Sequence, residues 1–161
     1  MRQALVIVSL LLVTVDTDAS QNTWGVNELA EYRLTVPVFE QFEHASHLIT
    51  AATRDDSRFT YAPLFTKEIA LSGEVQEMAV ALEARLTNEP LLASALREAG
   101  MTAHDYTKFA LVLIAAHFAH GFVQAGVLRR VPSGAASDNV EFVGAHQAEI
   151  GEVLREIGIG S

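Results

Sequence analysis

Thr102 to Gln124 reads TAHDYTKFALVLIAAHFAHGFVQ. Thr102 followed by Asp105 has the spacing at which a capping side chain and a first-turn acid start a helix. From 109 to 123 the residues are mostly apolar on every side. A helix lying on a surface keeps a polar face, whereas one that is apolar all round needs cover on several sides. The stretch therefore predicts a central helix that ends at Gly126, where glycine can take the left-handed C-terminal conformation. The rest of the chain must supply its cover.

That cover is legible on both sides. Val38, Phe42, Ala45, Ile49 and Ala52 recur at alternating spacings of four and three, which is one apolar helical face. Thr35 is placed to cap this helix and Pro37 suits its first turn. Glu40, Glu43, His44, His47 and Arg54 fall opposite. Arg54-Asp55-Asp56-Ser57 is expected to stop it, with a loop to about Pro63. Leu64 to Leu71 reads as a further helical segment, which Ser72-Gly73 interrupts or separates from the next. There Val75, Met78, Ala79, Leu82 and Leu86 form a stripe, with Glu74, Glu77 and Glu83 outside it. Asn88-Glu89-Pro90 starts a short helix that ends at Ala99-Gly100. Past the central helix, residues 131–136 read as a loop. Ser137 or Asp138 is expected to cap one last helix, with Glu141 completing a capping box to Asp138. Val140, Val143, Gln147, Ile150, Leu154 and Ile157 make its seam, and Gly158 ends it. No segment alternates with a sustained period of two, and no repeat is present. The expected fold class is all-α: a single-domain bundle over residues 35–158, with four or five helices around a central apolar helix at about 103–125.

The first residues read differently. Met1-Arg2-Gln3 is a short basic start, and Ala4 to Val15 (ALVIVSLLLVTV) is apolar apart from Ser9 and Thr14. Thr17-Asp18-Ala19 then puts small residues where a signal peptidase reads them. The layout predicts a secretory signal peptide over 1–19, cut after Ala19, because the apolar run is short of the roughly 20 residues a spanning helix needs. Retention as an anchor is the competing expectation. Residues 20–34 read as a flexible lead-in, in which Trp24 is expected to be solvated rather than docked.

The chain has a formal charge of -9, and loss of Arg2, Asp16 and Asp18 would leave -8. Such a chain is repelled by nucleic acid and by anionic membrane surfaces, so neither is an expected partner, nor is a membrane span after cleavage. It has no Cys, which excludes covalent c-type haem attachment, thiolate metal sites and disulfides. An exported chain of this kind must be held by its core. With 50% hydrophobic residues and roughly 68% of the unfolded surface buried at this size, that is feasible.

The second half of the chain also carries a resemblance. LREAGMTAHDYTKFAL (Leu96 to Leu111), then VPSG (Val131 to Gly134) and NVEFVGAH (Asn139 to His146), resembles a group of small exported helical proteins of environmental bacteria that have no assigned function. The shared motifs are caps and core positions. They imply a helical fold and export to the periplasm or beyond, and they carry no catalytic residue across.

The residues with most chemistry are histidines. His117 and His120 share a sector of the central helix with Tyr106, Leu113 and Gln124. One reading is a ligand seam inside a bundle, with His117 and His120, joined by Tyr106 or His146, holding a transition metal or a non-covalent haem. The other is packed or partly exposed side chains, each bonded to a neighbouring carbonyl. Zinc catalysis asks for a third protein ligand, and neither HExxH nor a Glu-x-x-His pair is present. His44 and His47 repeat the spacing, with Glu40 and Glu43 one turn before them. That cluster reads either as a weak divalent-metal site or as a solvated face laced with helical pairs. His146, beside Phe142 and Glu149, and His104, in the first turn of the central helix, read as structural or solvated rather than as ligands. The Arg54 to Tyr61 segment mixes charges and aromatics, as a recognition loop or a plain connection would, and lacks a calcium-loop pattern.

No G-x-S-x-G, phosphate-cradling glycine loop or Cys nucleophile is present, so no catalytic residue is assigned. The sequence leans towards a non-enzymatic exported module that binds an envelope protein, a small ligand or a second copy of itself. A metal- or haem-binding bundle on His117 and His120 is the alternative, and a hydrolase with a catalytic His stands last.

Overall fold

The computed structural model describes Trp24 and residues 26–54, 75–131 and 133–159. The expected signal segment, the 55–63 loop and the Leu64 to Leu71 segment lie outside the described residues. Of the described residues 79% are helical and none is in a strand. The helices are α1 Val26–Ala30, α2 Val36–Arg54, α3 Val75–Asn88, α4 Pro90–Glu98, α5 Ala103–Gln124, α6 Ala135–Ala145 and α7 Gln147–Glu156.

Helix α5 is the centre of the bundle. It packs against α1, α2, α3, α4 and α6, and every residue from Phe109 to Ala116 is buried. Its start is the expected one: Asp105 N donates to the Thr102 side chain at 3.0 Å. Its end is too, with Gly126 at φ +70°. By length and composition alone α5 could cross a bilayer, but 61% of its most apolar window is buried inside the protein. Its neighbours supply the apolar faces read from the sequence. From α3 come Met78, Ala79, Leu82 and Leu86. From α2 come Phe39, Phe42, Ala45, Ser46 and Ile49, a face turned slightly from the expected one, since Val38 and Ala52 are only half-buried. Phe42 lies against Tyr106 (4.7 Å between ring centres) and Phe109 (4.9 Å). Each such side chain, fully buried, contributes about 1.5–3 kcal/mol from water exclusion.

Three local expectations are corrected. Trp24 is 1% exposed, so it is a core residue rather than a solvated one, and α1 with Leu29 and Leu34 docks behind it. The single last helix is two. The chain breaks at His146 (φ -117°, ψ 26°), because α6 packs on α5 while α7 packs on α2 and one straight rod cannot do both. Helix α6 also starts earlier than read, after Gly134 at φ +105° and without a side-chain cap. Asp138 instead pairs with Arg33.

Asn139 explains how the stretch before α2 is fixed. Its Nδ2 donates to the Tyr32 carbonyl (2.8 Å) and its Oδ1 accepts from Leu34 N (2.8 Å). The side chain is 3% exposed. It acts as a two-pronged clip on an extended backbone that has no helix or sheet to satisfy it.

Candidate functional site

The two ends of α5 hold the chemistry. At the N-terminal end, Trp24 stacks on His104 with ring centres 4.1 Å apart and planes 23° apart. Trp24 Nε1 donates to Glu83 Oε2 at 2.8 Å. His104 Nε2 lies 2.9 Å from Glu28 Oε1 and its Nδ1 lies 3.4 Å from Glu83 Oε2. Lys108, one turn on, donates to Glu28 Oε1 at 2.7 Å and sits over the Tyr32 ring. Lys108 first, then His104, holds the Glu28 carboxyl below its ordinary range. The structure places two carboxylates, from α1 and α3, against His104, a tertiary arrangement that local spacing does not contain.

Tyr106 belongs to the core at this end. Its ring is fully buried. Ser46 Oγ donates to the Phe42 carbonyl (2.8 Å), so the Tyr106 hydroxyl donates to Ser46 Oγ (2.9 Å). Burial pushes the phenol well above its ordinary value. At a rise of about 1.5 Å per residue, Tyr106 stands roughly 16 Å along the axis from His117. It does not join the histidine pair.

At the C-terminal end the cover thins. His117, Phe118, His120, Phe122 and Val123 are half-buried, Gly121 and Gln124 are exposed, and only Ala119 is fully enclosed. His117 Nδ1 is buried without a hydrogen-bond partner. Burial first, and the neighbouring His120 second, hold this imidazole below its usual value. The ring is therefore a neutral, poorly solvated group. His120 leans on α6: a Cβ built at Gly144 would stand 3.0 Å from its Cε1, so Gly144 is the gap that admits the ring. Past the helix, Val127 is 68% exposed, Leu128 is half-buried, and Arg129 and Arg130 are exposed. Among the described residues, neither arginine is in an ion pair.

The other histidines are placed apart. His44 and His47 are exposed on the outer face of α2. His47 pairs with Glu156 of α7 (2.7 Å) rather than with Glu43 one turn before it. His146 Nδ1 lies 2.9 Å from Glu149 Oε2 and its ring lies against Phe142, as its neighbours in sequence implied. Among the described residues, no group of three or more His, Cys, Asp or Glu side chains is placed to hold a metal ion. The two histidine pairs are thus not brought together.

Two features were missed by sequence reasoning. The Trp24 cluster had a signal, since Trp24 and Glu28 stand one helical turn apart and so do His104 and Lys108. The Arg129-Arg130 step beside Val127 had one too, as an apolar-basic run in an acidic chain. Compared with family models, curated proteins and solved structures, the chain matches none.

Proposed function

We propose that this protein is an exported, non-enzymatic helical module that binds a protein partner through the open end of α5 and the loop after it. One observation carries the reading: Val127 is 68% exposed, next to half-buried Phe122, Val123 and Leu128. Apolar side chains grouped at a rim of arginine are what a contact patch is made of. The unpaired Arg129 and Arg130, on a chain of formal charge -9, favour an acidic segment on the partner. Two arginines reach only as far as a Debye length of about 8 Å at physiological salt. The acidic body would be repelled from an extended anionic bilayer, whereas a short acidic protein segment meets only the loop. Export is supported by the 1–19 signal layout, and by the resemblance in the second half of the chain.

A photo-crosslinking residue at Val127, with Val80 (46% exposed) as the control position, tests this in native cells. The expected result is one discrete heterologous protein adduct from position 127, absent from position 80 and lost on R129E/R130E. Adducts of equal yield at both positions, adducts insensitive to the arginines, or adducts only to lipid or to a second copy contradict it.

The transition-metal or haem reading keeps one specific support, the unpartnered Nδ1 of His117. It weighs less, because His120 is packed on Gly144 and the two imidazoles gain no third ligand among the described residues. The variant H117A/H120A checks it: loss of a stoichiometric ion or haem from protein purified from native cells would favour this reading over the first.

A further inference from the structure

The connection from α5 to α6 carries Arg129 and Arg130 side by side, both exposed. Its start is fixed: the amides of Val127 and Leu128 donate to the Phe122 carbonyl, at 2.9 and 3.1 Å. Its far side is fixed by the first turn of α6, where the Asp138 amide donates to the Gly134 carbonyl at 3.1 Å. Between these points, residues 129–131 make no backbone hydrogen bond among the described residues. Neither guanidinium is in an ion pair there. The other described basic residues are placed differently. Arg85, Arg97, Lys108 and Arg155 lie within helices, and Arg54 ends one. Arg33 lies outside a helix, but it pairs with Asp138, between two residues whose backbone Asn139 clips. A serine endopeptidase holds its substrate as an added strand through main-chain hydrogen bonds, with one side chain in a specificity pocket. The interior of a helix has no spare backbone groups for this and must first open. Residues 129–131 have them free, on an exposed connection of the kind at which chains are nicked.

We propose that the bond between Arg130 and Val131 is a processing site for an arginine-specific serine endopeptidase. The reaction consumes one water per bond. The protease's serine hydroxyl attacks the Arg130 carbonyl carbon, and the Val131 nitrogen leaves with the proton relayed from that hydroxyl. Water then releases Arg130 as a free carboxylate and restores the serine. The residues after the cut stay in place, because α6 packs on α5 and α7 packs on α2, with Val143, Ile150, Val153 and Leu154 buried. The product is a two-chain protein with the fold of the intact one. The site rests on the loop's own geometry, so it stands or falls independently of the partner contact proposed above.

Trypsin, at a low ratio to the folded full chain, is the probe, and mass spectrometry reads the products. The expected result is a chain beginning at Val131. It forms at least about tenfold faster than cuts at Arg33, Arg85, Arg97 or Arg155, since each of those needs local opening first. It co-elutes with the rest of the protein on gel filtration, and far-UV circular dichroism is unchanged. R130Q, at an exposed position, abolishes this product. Protein recovered from native cells contains the same chain. Comparable rates at the helical arginines, a stable uncleaved complex with trypsin, separation of the two chains, or native protein that is intact at Val131 overturns the proposal.

Discussion

At its start, α5 presents His104 to two carboxylates, a stacked indole and a neighbouring lysine. Thirteen residues later it presents His117 to another imidazole and to no hydrogen-bond partner for its buried nitrogen. The same side chain on one helix meets opposite surroundings, because the helices that cover the first half of α5 do not enclose the second. Cover, rather than local sequence, decides whether a histidine here is held in place or left with an unmet bond. The open end is where we propose that a partner binds.

The largest contrast is available from one substitution made in the enclosed middle of α5 and at its open end. Phe109→Ala, among Tyr32, Phe39 and Phe42, should cost about 3–5 kcal/mol. Phe122→Ala should cost about 1 kcal/mol, since the ring is already part-solvated. Urea midpoints give both, and equal losses would erase the distinction between the enclosed middle and the open end. Next in size is Asn139→Ala. It leaves the Leu34 amide and the Tyr32 carbonyl without their partner, at about 1–3 kcal/mol. A neutral result would mean that residues 32–35 are not held by this clip. The smallest effect is a pH dependence. His117 is held below the ordinary imidazole value by burial and by His120, so the folded state prefers the neutral ring. Its contribution is complete above the unfolded value of about 6.5 and is lost as pH falls from there through the lower folded value. Between about pH 7 and about pH 5, His117→Gln should therefore lose less stability than the native chain. An identical pH dependence of the two would sink that assignment.

Much of this molecule was legible from spacing. The uniformly apolar run from Phe109 identified the centre of the bundle, and Thr102 with Asp105, Pro90, Gly100 and Gly126 marked ends that the structure reproduces. These are local signals, with donor and acceptor a few residues apart. The failures share a different origin. Trp24 lies 59 residues from its acceptor Glu83, and Glu28 lies 76 from His104, so no periodicity could join them. The break at His146 follows from α6 and α7 having different neighbours, which a continuous apolar seam conceals. Tyr106 shared a helical sector with His117 and His120, but a wheel projects away the axial distance that separates them. Legibility of the candidate site was correspondingly partial. The histidine pair was visible, while the open apolar rim and the unpaired arginines beside it depended on knowing which part of α5 is left uncovered.

Hydrogen exchange along α5 tests the difference between its enclosed middle and its open end most directly. The account predicts that amides from 110 to 116 exchange only through global unfolding, and that those from 121 to 126 exchange at least about a hundredfold faster through local opening. Protection that continues undiminished to Val127 would contradict it: the end of the helix would then be as enclosed as its centre, and would offer no surface for a partner.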